Sequence, residues 1–238
     1  MVDRTGPVPA PLMAAGDDTF RVPLRATPAM LRASIAGLRM PVFAPARRAA
    51  DLVDLARFDP ALVLDIRYAT ARNFLGFPVY PAARAFLQRP AARALSHARG
   101  LAARHGYGLL VYDAYRPWHV SALFRHAVPE SLYDFVGDPA HGSRHNRGCA
   151  VDLTLWDLTT RQVVPMPSGF DEMTPRAHVG YVGGSARARG CRDLLATIMQ
   201  ASGFEPLAEE WWHFDFRDWR DYAVMDLSFD EIGRTLTP

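Results

Sequence analysis

Cysteine, net charge, long apolar runs and internal repeats are all scarce in this 238-residue chain, and each scarcity excludes something. Two cysteines, Cys149 and Cys191, cannot form the disulfide framework of a small secreted scaffold; two small buried thiols are the simpler reading. A formal net charge of +2, with the arginines scattered, leaves no basic stripe for nucleic acid. No uninterrupted apolar run approaches the ~18–20 residues of a membrane span. Near the start, TGPVPAPLMAAG follows Arg4, but its three prolines and few large apolar residues make a poor secretory core. A cytoplasmic location is the default expectation, and a periplasmic or secreted one the alternative if that segment is an address.

What remains is the composition of an ordinary globular protein, 49% hydrophobic and 22% charged, long enough to bury a sizeable core. Residues 1–57, rich in Pro, Ala and Arg, show little periodicity and read as an extension without its own core. The compact domain is expected over residues 58–238. LVLDIRYA (62–69) reads as a strand, residues 91–105 as a helix ended by Gly106 and Gly108, and GLLVYDAY as a buried strand. Pro117 can start the next helix, with 118–126 as its body. In CAVDLTLW, Val151, Leu153 and Leu155 alternate with Asp152 and Thr154, as on a strand. A helix is expected over 189–201, stopped by Gly203, and a second alternating strand in WWHFDF. Without a strict βαβ rhythm, the pattern predicts a single α+β domain, its central sheet largely antiparallel and flanked by helices.

The stretch SRHNRGCAVDLTL (143–155) places His145 and Asp152 at the mouth of a strand, where both would be costly to bury unpaired. Gly148 lets the chain fold back so that the two side chains converge. A catalytic zinc site takes three ligands from His, Asp or Glu and keeps one position open. His213, among the aromatics of EEWWHFDF, is the best third donor. Glu210, three residues earlier, suits a general base, with Glu209 its rival. Residues three apart on a regular strand face opposite ways, so Glu210 must sit in a loop or bulge to share a site with His213. Against this stands the bland reading, in which a lone strand histidine is simply hydrogen-bonded. His97, His105, His119, His126 and His178 have no companion pattern, and Gly142 argues against a helical His141/His145 pair. In DAYRPWH, Arg116 either pairs with Asp113 or faces a cleft as an oxyanion donor.

Taken together, S-x-H-x-x-G-x-A-x-D, a later E-x-W-H and an earlier Y-R-P resemble the zinc D-alanyl-D-alanine dipeptidase family of the vancomycin-resistance type. DIRYATARNFLG, GYGLLVYDAYRP, HNRGCAVDLTL, VVPMPSGFD and SGFEPLAEEWWHF extend the resemblance in the family's order, over about residues 58–216. The resemblance implies one zinc ion per chain on His145, Asp152 and His213, at the sheet. It implies Glu210 as catalytic base, Arg116 as transition-state stabiliser, and Tyr68, Ser143 and Asp171 as holders of the peptide termini. Asp171 reads equally as a loop aspartate capping the turn after Gly169. The chain departs from the family in its N-terminal extension, a short segment around Tyr80, and the glycine-rich GYVGGS.

The expected partner is a small D,D-dipeptide, with no nucleic acid and no membrane span. Two alternatives share the scaffold: a zinc D,D-carboxypeptidase trimming peptidoglycan stems, and a non-catalytic zinc-stabilised binding domain. The second has no use for Glu210 and Arg116. A serine hydrolase built on Ser143 lacks the G-x-S-x-G turn.

Overall fold

The computed structural model describes residues 19–236. Its elements in chain order are α1 (Pro28–Ile35), β1 (Leu52–Asp54), α2 (Leu55–Phe58), β2 (Val63–Leu64), β3 (Phe86–Gln88), α3 (Arg89–Arg104) and β4 (Tyr107–Asp113). There follow α4 (Trp118–Ala127), β5 (Ala150–Asp157), α5 (Ala186–Ala201), β6 (Phe204–Leu207), β7 (Glu210–Phe216) and α6 (Phe229–Thr235). The fold is α+β, as the sequence pattern predicts.

Five strands form one sheet in the order β2-β4-β5-β7-β6, parallel at β2–β4 and antiparallel elsewhere. A second, two-stranded sheet pairs β1 with β3, Leu52 opposite Gln88. The period of α3 explains its seating: Ala91, Leu95, Ala98 and Ala102 recur on one face and are buried, and the helix packs on β4 and α5. α5 begins earlier than residue 189 because the Ser185 side chain accepts from the Ala188 amide and caps it.

Residues 19–57 supply core rather than a separate layer. Val22, Leu31, Leu52, Val53 and Leu55 join the one large hydrophobic cluster, and the Val22 amide donates to the Phe74 carbonyl. The secretory reading of TGPVPAPLMAAG falls outside the described residues. The strand expected over 62–69 is only Val63–Leu64, followed by a turn of 3-10 helix at Arg67–Ala69. The Asp65 carboxylate pairs with Arg67 and Arg72, and that polar cluster turns the chain away from the ladder. Cys149 and Cys191 are both buried and unpaired. Among the described residues no helix is long and apolar enough to cross a membrane.

Candidate metal centre

Two irregularities in the sheet aim the polar side chains. Between β4 and β5 the register slips after Val111↔Leu153, so that Asp113 comes to stand opposite Asp152. Between β6 and β7 it slips again: Pro206 faces Phe214, yet the next residue, Leu207, faces Glu210. The extra residues on β7 form a bulge, the device that re-aims side chains beside sites. It satisfies the geometric condition on Glu210, whose Oε2 comes to 3.9 Å from His213 Nδ1 despite the three-residue spacing.

His145 arrives from the turn before β5. Gly148 closes that turn at φ +65°, and a Cβ there would meet the Leu52 side chain at 2.5 Å, so only glycine fits. The Ser143 hydroxyl accepts from the His145 amide, while Asn146 accepts from the Ser143 amide and donates to the Arg116 carbonyl and the Ser121 hydroxyl. The Arg116 amide in turn donates to the His145 carbonyl, locking the two functional segments together.

The donor set fits a divalent metal, and the hydrogen bonds show why. His145 Nδ1 lies 2.6 Å from the Ala114 carbonyl oxygen, so it carries the proton and leaves the lone pair on Nε2. His213 Nε2 lies 2.8 Å from Asp215 Oδ1, which leaves the lone pair on Nδ1. Those two nitrogens are 3.1 Å apart, and lie 3.3 Å and 3.1 Å from Asp152 Oδ1. In these neutral tautomers three acceptors converge with no hydrogen between them, and a cation satisfies all three. One ligand atom from each of the three buried residues lies within 4.8 Å of the others.

The local field is negative. Burial works against charge on His213, but hydrogen bonds with Asp152 and Asp215 raise its imidazole to about 10. A metal held by Asp152 and the two histidines would compete with that proton for His213. Asp152 is itself held below the usual carboxylate range: burial opposes this, and the two histidines outweigh it. Burial pushes Glu210 up to about 7, His213 opposing and Asp152 adding to the rise. Arg116 keeps its charge although largely shielded from water, because Asp113 and other neighbours outweigh desolvation. Its Nε and Nη2 lie 2.9 and 2.8 Å from Asp113 Oδ2, while the Tyr80 hydroxyl donates to Asp113 Oδ1 at 2.8 Å. The ion pair with Asp113 and the cleft-facing position therefore coexist: Nη2 is also 3.7 Å from Asp152 Oδ2, and Arg116 lines the pocket.

Asp171 and Tyr68 form the far wall. The Tyr68 hydroxyl, 3.0 Å from both carboxylate oxygens, donates to Asp171. Asp171 adopts φ +59°, a left-handed conformation that aspartate tolerates better than most residues. Burial first, then the charge of Asp152, raises its carboxyl well above the ordinary value. Tyr68, Arg116, Ser143, His145, Asp152, Asp171, Glu210 and His213 all line one cavity of about 130 Å³. Glu209, the rival base, is not among its lining residues.

Sequence reasoning missed three members of the assembly. Asp215 fixes the His213 tautomer, and the i, i+2 spacing of the two within WWHFDF was the available signal. Tyr80 supports Asp113 from a segment 33 residues away, which no local pattern marks. Arg144, also a lining residue, was passed over between Ser143 and His145.

A family model described as D-Ala-D-Ala dipeptidase matches residues 48–230. The D-alanyl-D-alanine dipeptidase of Escherichia coli is 38% identical over 175 residues, covering 74% of this chain and 89% of that protein. Those of Enterococcus faecium and Enterococcus faecalis are 40% and 39% identical, each over 65% of this chain and 85% of their own length.

Proposed function

The chain belongs to the D-Ala-D-Ala dipeptidase family of peptidases, and on that footing we propose that it is a zinc enzyme hydrolysing the D-Ala-D-Ala dipeptide. The observation that carries the reading is the convergence of His145 Nε2, His213 Nδ1 and Asp152 Oδ1 beside a half-buried carboxylate and a half-buried guanidinium. Two imidazoles and one carboxylate suit zinc with an open position. When bound, the metal supplies Lewis acidity to the scissile carbonyl and acidifies water towards a pKa of ~7.

The chain's own groups do the rest. Glu210, poised near neutrality in its dry surroundings, takes a proton from the attacking water. It then delivers that proton to the departing amine nitrogen, so the carboxylate is regenerated as the peptide C–N bond breaks. Arg116, held by Asp113 and Tyr80, presents its guanidinium to the oxyanion as charge develops there. Asp171 receives the substrate ammonium; a cation at that point offsets the burial that otherwise raises the carboxyl. Tyr68 orients Asp171, and Ser143, its hydroxyl proton free to donate beyond the His145 amide it accepts from, meets a substrate oxygen.

The relatives that match over most of the chain are named dipeptidases, and this favours the dipeptide over the D,D-carboxypeptidase reading. The deciding experiment offers D-Ala-D-Ala, L-Ala-L-Ala and a stem pentapeptide to the purified protein, with and without a chelator. Chelator-sensitive turnover of D-Ala-D-Ala alone is expected. Turnover of the pentapeptide in preference to the dipeptide would replace this reading with the carboxypeptidase one.

A further inference from the structure

A dipeptide is a zwitterion, so a pocket that encloses it must answer a carboxylate as well as an ammonium. Burying either end unpaired is costly. Two guanidiniums line the cavity. Arg116 is spoken for: its side chain is 12% exposed and it is hydrogen-bonded to Asp113, close to Asp152.

Arg144 differs on each count. Its side chain is 42% exposed, and among the described residues no hydrogen bond engages its terminal amino groups. One edge faces a carboxylate and a ring: Nε lies 3.2 Å from Asp215 Oδ2, an ion pair without hydrogen-bond geometry, and Cζ sits 4.8 Å from the centre of the Trp219 ring. The residue therefore has a paired edge and an uncommitted planar fork, the geometry that suits a carboxylate.

Its position is right as well. Asp171 takes the Tyr68 hydroxyl, whereas Arg144 reaches Asp215, which lies behind His213 on the ring nitrogen turned away from the triad. Asp171 and Arg144 thus line one cavity among different neighbours, the first beside Tyr68 and the second beside Trp219. A peptide with its scissile carbonyl at the triad and its ammonium at Asp171 directs its other end away from Asp171. We propose that Arg144 binds the C-terminal carboxylate of the substrate and thereby makes the enzyme specific for a free C-terminus. The proposal rests on the dipeptidase reading above.

The test compares D-Ala-D-Ala with its C-terminal amide, which lacks the anionic end. For Arg144→Met, kcat/KM for the dipeptide is expected to fall ~10- to 100-fold, the weight of a hydrogen bond to a charged group. The amide, a poorer substrate of the wild type, should be hydrolysed at nearly the wild-type rate, and Arg144→Lys should recover part of the dipeptide loss. In a Glu210→Gln background, which holds substrate without turnover, Arg144→Met should weaken dipeptide binding by a similar factor and leave amide binding unchanged. Equal losses for both substrates would overturn the proposal, because Arg144 would then act only through Asp215 on His213. If the wild type hydrolyses neither substrate, the dipeptidase reading itself fails and takes this one with it.

Discussion

His145 Nε2 and His213 Nδ1 face each other at 3.1 Å, and in their neutral tautomers each turns a lone pair rather than a hydrogen towards the other. With Asp152 Oδ1 completing the triangle, the folded chain holds an arrangement whose acceptors a cation reconciles. Ligand that binds only the folded state stabilises it by mass action, about 4 kcal/mol at 1,000 times Kd. For a domain of this size that corresponds to a rise in Tm of ~8–16 °C. Thermal unfolding with and without excess zinc measures it; His213→Ala should abolish the rise, and an undiminished rise in that variant would sink the triad.

The same site predicts a pH dependence for the metal-free protein. Glu210 is raised from 4.5 to about 7 and His213 from 6.5 to about 10, so both hold protons more tightly folded than unfolded. Each therefore contributes stability that is full below its unfolded value and is lost as pH rises through its folded value. Between about pH 4.5 and 10 the metal-free protein should lose stability on these two accounts. Asp152, held low, adds a loss only on the acid side. Because zinc displaces protons, its stabilising increment should grow with pH. A metal-free Tm that climbs steadily from pH 6 to 9 would contradict this.

Glu210→Gln keeps the shape of the base and removes its proton chemistry. Turnover should fall ~10²–10⁴-fold, with metal content and KM close to wild type. Retained turnover in this variant, together with a large loss in Glu209→Gln, would transfer the role to the neighbouring residue.

Arg116→Ala should cost ~10²–10³ in kcat, the usual weight of an oxyanion donor. Arg116→Lys should not restore it, since a lysine cannot present two nitrogens to Asp113 Oδ2 while reaching the cleft. Tyr80→Phe, which leaves Asp113 Oδ1 without its donor, should lower kcat more mildly. Steady-state kinetics with zinc-loaded protein decides; unchanged kcat in Arg116→Ala would remove the residue from the chemistry.

The sequence reading foresaw the local elements well, because their signals are local. The alternation of β5 and β7 and the spacing of α3 come from residues a few positions apart. Both faces of β5 are buried, Asp152 and Thr154 included, since β5 lies between β4 and β7 and histidines cover the aspartate. The pairing of β1 with β3 joins Leu52 to Gln88, and nothing in residues 19–57 announces it. The metal-ligand candidates were legible because glycine and polar residues interrupt otherwise apolar strands. The Asp215–His213 support was open to an i, i+2 reading of β7, whereas Tyr80–Asp113 arises from long-range packing that side-chain spacing does not reveal.

Elemental analysis of the purified protein beside His145→Ala, Asp152→Ala and His213→Ala tests the central claim most directly. The account predicts one zinc per wild-type chain, loss of that zinc in each variant, and loss of D-Ala-D-Ala hydrolysis in step with it. Three variants that keep a full complement of zinc and the wild-type rate would show that the metal and the chemistry lie elsewhere.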